Sequence, residues 1–361
     1  MLVFDKLELK RVINASGKMS VIGVSTPSQP VLEAMIYGAS NFFEIDQLQK
    51  EVGIYLSSIY GFESARIVSS ASSGIALTVA ASISKDDPKL YKNPYDINYE
   101  KREIILPKGH NVDFGAPIET MVQVGGGKVV EAGYANKCTV EDVEVRINEN
   151  TAALLFIKSH HTVQKSMIDL KEMVNLSKKH DIPLIIDAAA EEDIQEYTKL
   201  NADFVIFSGA KAIEGPTSGI VFGKTESISW LQHQELGIGR AMKIGKESIF
   251  GLAKALEEYV VKEDLSKEDQ LAILNPFVDE LNTIENLYAE IVQDEAGRNI
   301  YRARLHYENM PSLVAYLKKA SPAVYTRDYN QNIGMIDFDI RAIKDEEFKL
   351  IIKKIKEALD V

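Results

Sequence analysis

A single cysteine, Cys138, stands among 361 residues. One thiol excludes an internal disulfide framework and any zinc site built from several cysteines, and it fits a reducing compartment. Long apolar runs are missing as well: none approaches the roughly 20 residues that span a bilayer. The opening MLVFDKLELKR carries charges where a secretory signal needs its apolar region, so a cytoplasmic location without a membrane partner is expected. Positive charge is scarce: 41 Lys and Arg face 53 Asp and Glu, a net charge of -12. That balance argues against a general nucleic-acid surface, because phosphate binding draws on clustered basic side chains. Small anionic substrates remain compatible, since a few converging cations can act in a pocket against an acidic background. The glycine stretches VGGGKVV (124–130) and GIGRAM (237–242) lack a complete dinucleotide fingerprint, and no glycine-rich loop ends in Gly-Lys-Ser/Thr.

What is present is the composition of an ordinary globular protein, 45% hydrophobic and 26% charged, long enough for about two domains. Its middle alternates short apolar runs with amphipathic stretches, the pattern of an α/β domain with a mostly parallel sheet. Seven runs read as strands: ARIVSS (65–70), EIILPK (103–108), KVVEAG (128–133), AALLFIKS (152–159), PLIIDAA (183–189), FVIFSG (204–209) and GIVFGK (219–224). Helical patterns cover 73–84, 139–148, 169–181 and 245–264, with Thr139 and Asp142 spaced as a capping box. Residues 85–101 read as a polar surface excursion. After residue 265 come a polar helix, the spaced strands RARLHY, AVYTRDY and GMIDFDI, and a terminal amphipathic helix, which together describe a small α+β domain.

The stretch IFSGAKAIEGPTSG (206–219) sets Lys211 just past an apolar strand. A lysine partly stripped of water at a strand end is suited to forming a Schiff base. Upstream, PLIIDAAAEED ends an equally apolar run on Asp187, where ligands of open α/β sheets bind. A carboxylate beside a Schiff-base lysine is what pyridoxal phosphate needs, since protonating the ring nitrogen makes the ring an electron sink. The phosphate needs a third element. SSASSGIALTVAAS (69–82) runs small residues into an apolar helix whose first-turn N–H groups and hydroxyls suit a dianion.

In this order of motifs the sequence resembles fold-type I pyridoxal-phosphate enzymes, in particular the branch containing L-seryl-tRNA selenium transferase and its ammonia-lyase relatives. VINASGKMSVIG (12–23) is similar to the branch's N-terminal INA-T/S-G signature. SGAKAIEGPTSGIVFGK is similar to its lysine motif, and GIGRAMKIGKESIFGL (237–252) to the segment that follows; the likeness extends over most of residues 12–260. The resemblance implies a mostly parallel seven-stranded sheet flanked by helices, with a smaller α+β C-terminal domain. The expected divisions are an N-terminal segment packing with the small domain (1–45), a large cofactor-binding domain (46–264) and the small domain (265–361). Pyridoxal 5'-phosphate is the implied cofactor.

On that resemblance Lys211 carries the cofactor and serves as the α-proton base, and Asp187 meets the pyridine nitrogen. Ser72, Ser73 and Gly74 hold the phosphate, Ser208 adds a hydroxyl near it, and His110 stacks on the ring. KSHHTVQKSM (158–167) is read as a strand end lining the pocket. There His161 or Gln164 is expected to touch cofactor or substrate, while His160 and His161, pointing to opposite faces of a strand, are not expected to share a metal ion. Arg240, Lys243, Arg327 and Lys18 are the candidate cations for an anionic substrate, an Arg being the better carboxylate ligand. The expected activity is an ammonia-lyase acting on a small anionic amino acid or amino-sugar acid, in at least a homodimer. Its rivals are another β-elimination or selenium transferase-like reaction and a non-enzymatic sugar-phosphate-binding regulator.

Overall fold

The computed structural model describes residues 7–159, 161–263, 265–294 and 299–360. It separates into two compact units, Pro27–Lys262 and Met1–Thr26 with Glu263–Val361. The first boundary thus falls after Thr26 and not at residue 45, because the helix Gln29–Ser40 packs along Lys246–Tyr259 of the larger unit.

The chain begins with β1 (Val12–Ala15) and enters the large unit through α1 (Gln29–Ser40), α2 (Ile45–Tyr60), β2 (Ser64–Val68), α3 (Ala71–Ser84) and α4 (Pro88–Lys92). Next come β3 (Glu103–Pro107), α5 (Ile118–Val124), β4 (Lys128–Ala132), α6 (Val140–Glu144), β5 (Thr151–Ile157) and α7 (Leu170–His180). β6 (Leu184–Asp187), β7 (Phe204–Ser208), β8 (Gly219–Gly223), α8 (Thr225–His233) and α9 (Lys246–Tyr259) complete it. The small unit adds α10 (Lys267–Leu281), β9 (Tyr288–Gln293), β10 (Tyr301–His306), α11 (Met310–Lys319), β11 (Ala323–Thr326), β12 (Met335–Asp339) and α12 (Asp345–Ala358).

The large sheet has seven strands in the order β2-β8-β7-β6-β5-β3-β4, with β8 antiparallel to both neighbours and the remaining pairings parallel. It is the fold-type I arrangement, and all seven expected strands are in it. Its strands are near-continuous apolar runs because both faces are covered; every residue of TAALLFI in β5 is buried. Each such Leu, Ile or Phe side chain contributes roughly 1.5–3 kcal/mol on burial. α3 lies against this sheet with small residues on its inner side. A Cβ on Gly74 would stand 2.9 Å from Ile206 Cγ2, so glycine lets the helix approach β7 closely. α7 starts at a reciprocal capping box between Asp169 and Glu172 and ends with Lys178, Lys179 and His180 in its last turn, opposite in charge to the carbonyl end of the helix dipole.

Two expectations in this unit change. Residues 139–148 hold only the short α6, although its Thr139–Asp142 capping box is present. Residues 158–167 form a turn and not a strand end. In the small unit, β12-β10-β9 form an antiparallel sheet. β11 does not join it; it pairs in parallel with β1, Val12 opposite Ala323 through Ala15 opposite Thr326. No helix among the described residues is long and apolar enough to cross a membrane.

Candidate active site

β6 ends on Asp187, and its parallel neighbours bracket it: Ile157 of β5 on one side and Ile206 of β7 on the other. The backbone holds this end firmly, with Lys158 N–H donating to Asp187 O at 2.8 Å and Ala188 N–H to Ile206 O at 2.9 Å. One side-chain oxygen of Asp187 accepts the Ala189 N–H at 3.0 Å. Burial pushes the carboxyl up to about 6, against the opposing pull of that N–H and of the Lys211 charge. Lys211 is half-buried in the turn that leaves β7. That turn is tied down by Gly209 N–H to Ser218 O (2.9 Å) and Gly215 N–H to Gly209 O (2.7 Å). A side chain at Gly209 would collide with Ser218 Oγ. The carboxylate and the amine therefore emerge from the same edge of two adjacent strands and feel each other's charge.

The start of α3 reaches the same edge through β8. Gly219 pairs with Val68 of β2 and with Ser208 of β7. A Cβ on Gly219 would lie 2.8 Å from the Ala71 nitrogen, so the helix start sits directly on this glycine. Sequence reasoning missed Gly219; the SGI at the head of β8 carried the signal. Ser73 differs from expectation. Its hydroxyl donates to Ser70 O at 2.8 Å and accepts the Ser70 N–H at 2.9 Å, completing the capping box in which Ser70 Oγ accepts Ser73 N–H. That hydroxyl serves the helix, which leaves the first-turn N–H groups of Ala71 and Ser72 and the half-buried Ser72 side chain for a ligand. A buried carboxylate with room for an N–H donor, an amine one strand away and an open helix N-terminus fit the ring nitrogen, aldehyde and phosphate of pyridoxal 5'-phosphate.

Other expected residues are placed differently. His110 is fully buried; Nδ1 accepts the Ile157 N–H at 3.3 Å, and the ring stands edge-on to Phe156 at 4.7 Å between centroids. A ring with no exposed face offers none for stacking, so His110 braces β5 from behind. Burial holds it down to about 4, neutral at ordinary pH. His160 lies outside the described residues. His161 is exposed, and Gln164 is exposed with its amide donating to Thr162 Oγ1. No group of metal-ligating side chains occurs among the described residues. Cys138 is buried, and its thiol is pushed up to about 11 by burial and the Asp142 charge, an inert structural thiol.

Arg240 and Lys243 are both exposed and line one cavity of about 580 Å³ in the large unit. Arg66 and Val68 of β2 form part of its wall, and Arg66 is ion-paired to Glu235. Arg327 and Lys18 belong to the small unit. Lys18 follows the NASG turn, where Asn14 Nδ2 donates to Gly17 O at 2.8 Å and Gly17 takes a left-handed φ of 84°. Only glycine enters this turn easily, and a side chain would also press on Asp339 Oδ2.

Strand-end aspartate, following lysine and glycine-seated helix start define the site of a fold-type I pyridoxal-phosphate enzyme. Residues 96–304 match the family model described as L-seryl-tRNA selenium transferase. The chain belongs to this family. It is 41% identical to a D-glucosaminate-6-phosphate ammonia lyase from Salmonella typhimurium, over 98% of this chain and 97% of that one. A solved structure of D-glucosaminate-6-phosphate ammonia-lyase superposes with a TM-score of 0.94 at 40% identity, covering 100% of this chain and 98% of the other. A 5'-C-glycyluridine monooxygenase-decarboxylase from Streptomyces is 31% identical, over 99% and 92% of the two chains.

Proposed function

We propose that this protein is a pyridoxal-phosphate-dependent ammonia-lyase that converts D-glucosaminate 6-phosphate to 2-keto-3-deoxygluconate 6-phosphate and ammonia. The observation that carries the chemistry is the pairing of buried Asp187 with Lys211 on adjacent strand ends. The likeness over nearly the whole chain to an enzyme named for that substrate carries the choice of compound.

Bound there, pyridoxal 5'-phosphate supplies an electron sink for the carbanion at the amino-bearing carbon. Asp187 keeps the ring nitrogen protonated, and its low-dielectric setting strengthens that charge-assisted hydrogen bond. Ala71 and Ser72 hold the phosphate through first-turn N–H groups, aided by Ser72 and Ser208 hydroxyls. Lys211 anchors the cofactor and, as the free amine, takes the proton from C2 of the substrate. The C3 hydroxyl leaves as water, and a water returns to release ammonia from C2, so the overall reaction neither gains nor loses water. Arg240, Lys243, Arg327 and Lys18 remain the candidate cations for the phosphate and carboxylate. Because the Asp187 carboxyl loses its proton near pH 6, cofactor retention weakens as pH falls through that value.

The reading includes a cytoplasmic enzyme that works as a homodimer or larger homo-oligomer. Support for association comes from Ile36, Tyr37 and Phe42, exposed in sequence along and just after α1, Phe42 at 99%. Incubating the cofactor-loaded protein with D-glucosaminate 6-phosphate should release keto acid and ammonia in equal amounts; loaded protein that yields neither would remove this substrate. Protein that stays colourless with added pyridoxal phosphate, and whose Lys211 is not trapped by borohydride, would remove the enzyme reading altogether.

A further inference from the structure

The three-stranded sheet of the small unit has two unlike faces. Ala303 and Leu305 of β10 enter the core, while Arg302 and Arg304 turn to the opposite face, opposite Asp339 and Asp337 of β12. Arg304 grips Asp337 with two bonds, 2.7 and 3.0 Å. Arg302 donates from Nε to Asp339 at 3.3 Å and from Nη1 to Asp294 at 2.8 Å. Its side chain is only 4% exposed, yet Nη2 is buried with no hydrogen-bond partner.

A donor buried in that state is costly unless something meets it. Arg302 lines a cavity of about 300 Å³ together with Asp294, Arg304, Arg327, Tyr329 and Asp337. Arg327 is fixed there by backbone bonds to Asp337 at 2.9 and 3.0 Å, with its guanidinium 5.4 Å from the Tyr329 ring centre. It has no carboxylate partner among the described residues. Three guanidinium groups thus meet two aspartates in the cavity lining, and donor capacity remains on Arg302 and Arg327. Planar forked donors of this kind match oxyanions bidentately.

We propose that this cavity is an oxyanion site, in which Arg327 and Nη2 of Arg302 hold the carboxylate or phosphate of a small molecule. The site stands on the small unit alone and does not rest on the lyase reading. Titration calorimetry on the cofactor-loaded full chain, with inorganic phosphate in one series and acetate in the other, tests it. Loading the cofactor keeps its own phosphate site filled.

One anion should bind measurably, and the stronger of the two names the group the site takes. Arg327→Gln should weaken it at least tenfold, and Arg302→Lys, which keeps the charge for Asp294 and Asp339 but removes Nη2, by several fold. Lys349→Gln, at an exposed position on α12, should bind as wild type. Wild-type affinity in both arginine variants, or no binding of either anion to the unsubstituted chain, overturns the proposal. If circular dichroism shows that Arg302→Lys does not fold, the Arg327→Gln titration decides alone. Turnover of D-glucosaminate 6-phosphate, measured separately, shows whether the lyase reading stands or falls with it.

Discussion

The two sheets of this protein solve opposite problems with polar groups. In the seven-stranded sheet, alternate residues feed two separate cores: Ile186, Val205 and Phe207 pack on one side, Ile185, Phe204 and Ile206 on the other. A charge in mid-strand would have no exit to water, so Asp187 stands at the last position of its strand and Lys211 beyond the end of the next. In the three-stranded sheet only one face is core, and the other carries the Arg302–Asp339 and Arg304–Asp337 pairs across the strands. The comparison teaches that a sheet covered on both faces concentrates chemistry at its edge, whereas a sheet covered on one face can carry charge along its length.

The sharpest way to test the first half is to remove the strand-end amine. Lys211→Ala should lower keto-acid formation by on the order of 10⁴-fold, the upper range for a positioned acid-base group, while the far-ultraviolet circular dichroism stays unchanged. The fold does not need this lysine; the reaction does.

The second half breaks at Arg302. Arg302→Ala leaves Asp294 without that partner and Asp339 with Arg341 alone. Burial raises the Asp339 carboxyl, but the hydrogen bonds and charge of Arg341, with the charge of Arg302, outweigh it and hold the group below its ordinary value. Stripping one partner from a buried ion network costs about 3–5 kcal/mol, which urea denaturation would read directly. An equally deep loss in Lys211→Ala would erase the distinction between the two sheets.

His110 sharpens the comparison through pH. It is neutral when folded, held down to about 4, and titrates near 6.5 when the chain is unfolded. Between these values the unfolded chain binds the extra proton, so stability rises with pH across this window and is lost as pH falls from about 6.5 toward 4. The span is worth up to about 3 kcal/mol. His110→Asn should flatten that part of the stability profile, whatever it does to the absolute value.

How much of this was legible in the sequence follows the same division. The seven large-sheet strands announce themselves because double burial writes apolar runs, and Asp187 and Lys211 stand out because each interrupts one. β1 could not be read: four residues, VINA, pair with β11 across the length of the chain, and no local periodicity encodes that partner. β9 reads YAEIVQ, a half-polar strand, and went unseen for the same reason. Charges alternating in RARLH look like a solvated face, so Arg302 drew no notice until its burial was visible. Ser73 was assigned to a ligand because a serine at a helix start reads alike whether it caps the helix or binds phosphate; only the capping geometry separates the two.

The smallest expected effect joins the site to the packing beneath it. Gly74 faces β7, and the methyl group of Gly74→Ala would meet Ile206 Cγ2 at 2.9 Å. The neighbour is a branched side chain fully buried in a two-sided core, so it has little room to yield. Overpacking of this kind costs about 1–3 kcal/mol, partly offset by the roughly 1 kcal/mol better helix propensity of alanine. The net loss in melting temperature should therefore be modest. Cofactor retention should suffer more than stability, because displacing α3 from β7 moves the Ala71 and Ser72 N–H groups away from the phosphate. Fluorescence titration with pyridoxal 5'-phosphate on Gly74→Ala would separate the two: a weakened affinity with a near-normal melting temperature is the expected result. Unchanged affinity would mean that the helix start is held by its seat on Gly219 alone.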